Sequence, residues 1–121
     1  MKIEIKGMAE LQKTLKGMPA KTESAVHKEL QKITLDLQGK SQKLAPVDTG
    51  DLRGSAFAEV DGLDGTVGFT EPYALRQHEE VGYRHPKGGE AKYLETPYKE
   101  NAGKYAEAII ATSKKAVDKH I

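Results

Sequence analysis

The chain has 121 residues and a formal net charge of +1, with 37% hydrophobic and 31% charged residues. This composition predicts one soluble globular domain over residues 1–121 and argues against a disordered chain. The absence of cysteine excludes thiol catalysis, cysteine-ligated zinc and disulfide bonds. No stretch approaches the roughly 20 apolar residues that span a bilayer, and the opening sequence MKIEIK lacks the apolar run of a signal peptide.

The first predicted element is a strand at residues 2–6, where isoleucines alternate with charged residues. A short helix is predicted over residues 8–16, and a long helix from about Ala20 to Leu44. The long helix places apolar residues at helical spacing on one side, which predicts that it packs on that side only. This stripe consists of Val26, Leu30, Ile33, Leu37 and Leu44.

Residues 45–55, with the sequence APVDTGDLRGS, form a corner between the helical and strand patterns. Pro46 cannot continue a helix. Asp48 and Thr49 can bond nearby backbone N–H groups, and Arg53 offers a planar fork of donors to a carboxylate or to several carbonyls. We therefore predict a rigid joint at this corner.

A β-hairpin is predicted next, with strands at residues 56–60 and 66–70 and a turn at residues 62–65. A short helix is expected over residues 73–80. Residues 82–92 contain three glycines and a proline without apolar periodicity, which predicts a long loop that orders against a partner.

A second long helix is predicted from about Glu95 to the C-terminus. Its inner stripe consists of Tyr98, Ala102, Tyr105, Ile109 and Ala116. The chain as a whole is therefore predicted to be an α+β fold, in which two long helices pack on a small, mainly antiparallel sheet with a β-hairpin.

Charge varies along the chain in a way that bears on function. Residues 1–44 carry a net charge of +4, residues 45–82 carry −6, and residues 83–121 carry +3. The lysines alternate with acids along the predicted helices, which is typical of a solvated face. A small nucleic-acid-binding module stays an alternative that requires the helix lysines to gather on one face.

The triplet Asp48-Thr49-Gly50 allows an aspartic-protease-like hydrolase as a second alternative. In such enzymes a triplet of this kind supplies the catalytic carboxylate, and a chain with a single copy has to dimerise. That chemistry uses a loop between strands of an all-β fold, whereas this triplet follows a helix and a proline. The context therefore favours a structural role for Asp48.

His78, Glu79, Glu80 and His85 are side chains of the types that bind zinc. The two histidines are separated by a predicted helix end, and residue 82 is glycine where the H-E-x-x-H pattern of metalloproteases requires histidine. A polar network, with each histidine bonded to a carboxylate or a backbone carbonyl, is favoured over a metal site. The glycine-rich part of the loop also lacks the order of a phosphate-binding motif, so no cofactor is predicted.

The corner resembles the signature of a family of minor tail components from long-tailed bacteriophages, the tail-completion or head–tail joining proteins. Its matching residues are Ala45, Pro46, Asp48, Thr49, Gly50, Leu52, Arg53 and Ser55. The resemblance continues at Pro72-Tyr73-Ala74, Gln77-His78-Glu79, His85, Gly88 and Lys92-Tyr93-Leu94-Glu95. It covers nearly the whole chain. Where the family often has a shorter Glu-x-Gly-Thr turn, this chain has Glu80-Val81-Gly82-Tyr83 and an extended loop.

The resemblance implies a structural protein of the virion neck, from a free phage or a prophage, arranged with six-fold symmetry. Its implied partners are other copies of the chain, the head connector, and tail-tube or tail-terminator proteins, with DNA only as passing cargo. It implies no catalysis and no cofactor. No metal site and no membrane partner are predicted. The candidate partner-contacting residues are Tyr73, His78, Glu79, His85, Gly88, Lys92 and Tyr93.

Overall fold

The computed structural model describes residues 2–5, 20–46, 51–71, 74–79 and 92–118. The elements in chain order are β1 (Lys2–Ile5), α1 (Ala20–Leu44), α2 (Asp51–Gly54), β2 (Ala56–Asp61), β3 (Asp64–Phe69), α3 (Ala74–Glu79) and α4 (Glu95–Asp118). Two long helices accompany an antiparallel sheet, so the predicted α+β class is confirmed. The predicted helix at 8–16 and nearly all of the predicted loop at 82–92 lie outside the described residues.

Helix α1 forms where the apolar period predicts it, and it begins and ends at the predicted residues. Four stripe residues, Val26, Leu30, Ile33 and Leu37, are buried in the core, while Leu44 is half-buried against it. Glu23 in the first turn and Lys43 in the last turn complement the helix dipole. Burial of the apolar stripe therefore fixes the orientation of α1 in the domain.

The sheet has the strand order β1-β3-β2, with both neighbouring pairs antiparallel. β2 and β3 pair from Ala56 opposite Phe69 to Asp61 opposite Asp64, which leaves a turn of only two residues. The predicted four-residue turn was wrong because the strand pairing continues to Asp61 and Asp64. Gly62 has a φ of 60°, and glycine at the first turn position is what a type II′ hairpin requires.

Helix α1 lies between the sheet and α4. It packs against β2 and β3 on one side, and against α4 on another. Hydrogen bonds from Lys40 to Asn101 and from Tyr105 to Asp36 show that α1 and α4 run antiparallel. The buried residues of α1 nevertheless all lie on the face of its apolar stripe, as predicted. The apolar stripe faces the core, and a polar seam beside it holds α4.

Helix α4 contributes Tyr105, Ile109 and Ala116 to the buried interior, as its apolar spacing predicts. Tyr98 and Ala102 from the same predicted stripe are half-buried. The core is completed by residues from β3 and from the segments that flank the long helices: Ala45, Leu52, Val67, Phe69, Ala74, Tyr93 and Leu94.

Candidate functional site: the corner, the His78 cluster and the sheet edge

The corner is held by the guanidinium of Arg53. Its Nε donates to the carbonyl of Ala45 at 2.9 Å, and its Nη2 donates to the carbonyl of Lys43 at 3.0 Å. The last carbonyls of a helix have no partner within the helix, and a cation there also interacts favourably with the helix dipole. The planar fork of Arg53 therefore binds the C-terminal end of α1. The sequence allowed either a carboxylate or several carbonyls as its acceptors, and the structure shows two backbone carbonyls.

A second set of bonds joins the corner to the strands. The single turn of α2, which the sequence did not predict, buries Leu52 and ends at Gly54, one residue before Ser55. The Ser55 hydroxyl donates to the Leu52 carbonyl at 2.8 Å, and the Ser55 carbonyl accepts the N–H of Thr70 at 3.1 Å. Ala45 and Pro46, on the other side of the corner, are buried. Five of the eight motif residues therefore have packing or bonding roles, while Asp48, Thr49 and Gly50 lie outside the described residues.

The His78 cluster, which we define as His78, Glu79, Lys92, Tyr93 and Glu95, joins α3 to the start of α4. The His78 carbonyl accepts the N–H of Lys92 at 2.8 Å, and its ring Nε2 accepts the N–H of Glu95 at 3.1 Å. The Tyr93 hydroxyl donates to the carbonyl of Ala74 at 2.6 Å. These bonds hold Lys92 at a φ of 58°, a left-handed conformation that is unfavourable for a residue other than glycine.

The bonds of His78 also fix its tautomer. Because Nε2 accepts an amide N–H, the ring proton lies on Nδ1, which donates to the Glu79 carboxylate at 3.0 Å. Both ring nitrogens are therefore occupied, and neither is free to bind a metal. The predicted polar network is confirmed for His78, except that Nε2 bonds a backbone amide and not a carbonyl. The described residues contain no cluster of three or more potential metal ligands, and His85 lies outside them.

Charged groups surround this cluster on its solvent side. Lys92 forms ion pairs with Glu79 and Glu95, and Lys99 pairs with Glu95 at 2.7 Å. Hydrogen bonds from Lys92 and, to a smaller extent, from His78 hold the pKa of Glu79 below its usual value. A hydrogen bond from Lys99 likewise lowers the pKa of Glu95. The pKa of Lys92 is raised mainly by its bond to Glu79. The groups stay ionised at neutral pH, so the surface of the cluster is a compact set of opposite charges.

The structure corrects part of the predicted contact surface. Tyr93 has an exposed fraction of 0% and His78 of 5%, and the two rings meet edge to face at 5.1 Å. The Tyr93 ring also packs edge to face on Phe69 at 4.9 Å. The prediction that His78 and Tyr93 contact partners was therefore wrong for this conformation, because both are core residues. Glu79 and Lys92 are accessible, while Tyr73, His85 and Gly88 lie outside the described residues.

A row of polar side chains on α1 borders the outer edge of β2. Gln42 donates to the Arg53 carbonyl at 3.0 Å, Gln38 to the Ala56 carbonyl at 3.2 Å, and His27 to the Gly62 carbonyl at 2.6 Å. α1 therefore runs antiparallel to β2 along its edge. This row was not predicted from the sequence. A stripe of glutamine and histidine flanking an apolar stripe was the available signal, but it also fits a solvated face.

The face of the sheet turned away from α1 carries an open groove of about 320 Å³. Register places Lys2 and Phe57 on either side of Gly68, so the floor of the groove is a glycine. Its lining residues are Lys2, Phe57, Glu59, Thr66 and Thr70. The groove combines one half-buried aromatic ring with groups of both charges, which suits protein contact better than a small anionic ligand.

Three lysines of the long helices lie next to acids. Lys40 pairs with Asp36 at 2.8 Å, Lys32 approaches Glu29 at 3.9 Å, and Lys99 pairs with Glu95. A nucleic-acid surface relies instead on basic groups left available for phosphates. Within the part of the chain that the structure describes, no helix has both the length and the apolar character to cross a membrane.

Comparison of the chain with protein-family models, with curated proteins and with solved structures gave no match. The features that bear on function are therefore the motif of the corner, the geometry around it and the exposed edge of the sheet.

Proposed function

We propose that this chain is a structural protein of the neck of a long-tailed bacteriophage, or of a prophage, that completes the tail and joins it to the head connector. In this proposal it acts without catalysis or cofactor, as a six-fold ring in the virion. Its partners are further copies of itself, the head connector, and tail-tube or tail-terminator proteins, while DNA only passes through the channel.

The observation that carries the proposal is the role of the motif residues at the corner. Arg53 binds two carbonyls at the end of α1, and Ser55 binds both α2 and the residue that follows β3. A joining protein has to hold its contact surfaces at fixed angles, since ring closure depends on a constant rotation between copies. A motif that fixes the angle between the main helix and the sheet serves this requirement.

The surface composition supports weak association of the isolated protein. Aromatic residues make up only 6% of the chain, and Leu35 and Ile110 are the large hydrophobic side chains exposed among the described residues. Large obligate interfaces are richer in buried aromatic and apolar groups. We therefore expect a monomer or a concentration-dependent oligomer in solution, and a stable ring only on the tail or connector that templates it.

The proposal is tested by deleting the gene from the phage or prophage that carries it. We expect lysates with filled heads and separate tails by electron microscopy, and joined virions after purified protein is added back. Unchanged virions from the deletion strain contradict the proposal. A peptidase activity that depends on Asp48, or tight binding of the purified protein to DNA at physiological salt, supports one of the two alternatives instead.

A further inference from the structure

A short span on the outer edge of β2 has no hydrogen-bond partner among the described residues. In a two-residue hairpin the residues that flank the turn form a hydrogen-bonded pair, and such pairs alternate along the ladder. Asp61 and Asp64 flank this turn, so Ala56, Ala58 and Val60 point their backbone groups away from β3. Gln38 occupies the carbonyl of Ala56. Among the described residues, no hydrogen bond is made by the outward backbone groups of Ala58 and Val60.

An exposed leucine stands beside this span. Leu35 lies one helical turn before Gln38 on α1. It therefore lies between the two side chains, Gln38 and His27, that bond to the two ends of β2. Its exposed fraction is 63%, the larger of the two values for exposed large hydrophobic residues in the described ranges. An open strand edge with an apolar neighbour is a template for an added strand.

We propose that this span is bound by β1 of a second copy of the chain, so that the sheets of neighbouring copies join edge to edge. This inference rests on the proposed ring, since it identifies the surface through which copies of the chain meet. Among the described strands, β1 and β2 lie at the two opposite edges of one sheet. Joining different edges gives a heterologous, head-to-tail contact, which is the type that closes into a ring.

Strand direction and length agree with this pairing. β1 and β2 are each antiparallel to β3 and therefore run parallel to each other. In a cyclic assembly the β1 strand of the next copy consequently lies parallel to β2. β1 has four residues, a length that matches the gap between the bonds at Ala56 and Gly62. Hydrogen-bonded pairs alternate along β1 as well, so the backbone groups of residues 3 and 5 point toward β3 and those of Glu4 point outward.

Charge favours β1 as the occupant over a second β2. Glu59 and Asp61 are exposed on β2, so pairing of two β2 edges brings four carboxylates together. β1 instead carries one residue of each charge, Lys2, which is exposed, and Glu4, so its net charge is zero. Opposite charges on neighbouring strands stabilise a pair, while like charges destabilise it. Burial of Leu35 against the neighbouring copy then adds an apolar contact to the backbone bonds.

The first test measures self-association by sedimentation across micromolar to submillimolar concentrations. Ala58→Pro removes an outward N–H, a substitution that edge strands tolerate. Leu35→Lys removes the apolar contact without touching the strand. We expect each to raise the midpoint concentration of association roughly tenfold or more, which corresponds to about 1.4 kcal/mol. The matched control is Ile110→Lys, which changes the other exposed large hydrophobic residue, on α4, and leaves the midpoint unchanged.

The second test identifies the two edges. Because the chain has no cysteine, Lys2→Cys and Glu59→Cys each carry a single thiol, and any disulfide must join two molecules. We expect the mixed disulfide when both variants are oxidised together. Homodimers of Glu59→Cys in place of the mixed species indicate pairing of two β2 edges and overturn the proposal. Absence of any disulfide above the level of an Ile110→Cys control also overturns it.

The two proposals fail separately. If the deletion strain yields separated heads and tails but the thiols never pair, the chain acts in the neck through another surface. If the thiols pair while deletion leaves virions intact, the edge contact belongs to an assembly outside the neck.

Discussion

The corner motif makes a quantitative prediction about stability. Arg53→Ala removes the donors that bind the carbonyls of Ala45 and Lys43. A hydrogen bond to a charged group contributes about 1.5–3 kcal/mol when it is buried, and less where water replaces it. The bond to Ala45 is partly buried and the bond to Lys43 is exposed. We therefore expect the free energy of unfolding to fall by about 2–3 kcal/mol, with most of the loss at Ala45.

Thermal and urea denaturation measure this loss directly. For a domain of this size, 1 kcal/mol corresponds to about 3–5 °C in Tm, so Arg53→Ala should lower Tm by roughly 10 °C. Arg53→Lys keeps the charge but cannot reach both carbonyls with a planar fork, and it should lose about half as much. The control is Lys99→Ala, which breaks an exposed ion pair on α4 worth less than about 1 kcal/mol.

The outcome that refutes the argument is an Arg53→Ala protein that unfolds at the same temperature as Lys99→Ala. Such a result places the function of the arginine outside the isolated domain. Equal losses for Arg53→Ala and Arg53→Lys refute a narrower point, namely that the two-carbonyl geometry matters more than the charge.

Three further predictions concern the corner, the helix seam and the acidic segment. Asp48→Ala should cost roughly 0.5–2 kcal/mol in denaturation, as loss of a capping-type bond does, and unchanged stability together with loss of a peptidase activity contradicts this. The bonds from Lys40 and, to a smaller extent, from Tyr105 hold the pKa of Asp36 below its usual 3.8. The stability that these bonds contribute is therefore present above that pH and is lost as the pH falls through the lowered pKa. Burial and the bond to Asp36 raise the pKa of Tyr105, so stability should also fall as the pH rises above the usual tyrosine value. Thermal melts of Tyr105→Phe should show a smaller alkaline loss and a smaller acid loss than the wild type. If the acidic segment at residues 45–82 repels DNA in the channel, a map of the assembled neck should show some of its carboxylates at the lumen. The carboxylates concerned are Glu59, Asp61, Asp64, Glu71, Glu79 and Glu80. A lumen lined by the helix lysines, with all of these carboxylates outside it, rules this out.

Elements with long apolar periods could be predicted from the sequence. Helix α1 follows the prediction to the residue, because its stripe at spacings of three, four and seven allows only one helical face to be buried. The single turn of α2 could not be predicted in this way. Four residues carry no period, and the turn is stabilised by burial of Leu52 and by the bonds of Ser55.

Buried polar groups account for part of what the sequence could not predict. Thr34 and Ser113 lie inside the domain because their hydroxyls bond carbonyls of the preceding helical turn, at Gln31 and Ile109. An apolar pattern assigns such residues to the surface. His78 was assigned to a contact surface for the same reason, since its burial depends on partners 1 and 17 residues away that only the folded chain brings together.

The corner and the sheet edge belong to one rigid arrangement, and this connects the motif to the proposed ring. Gln42 binds the carbonyl of Arg53, and Arg53 in turn binds the end of the helix that carries Gln42. The same helix positions Leu35 beside the open span of β2. A change at the corner therefore alters the angle between α1 and β2, and with it the edge offered to a neighbouring copy. Because a closed ring tolerates only a narrow range of rotation between copies, residues of the motif that touch no partner can still decide whether the ring closes.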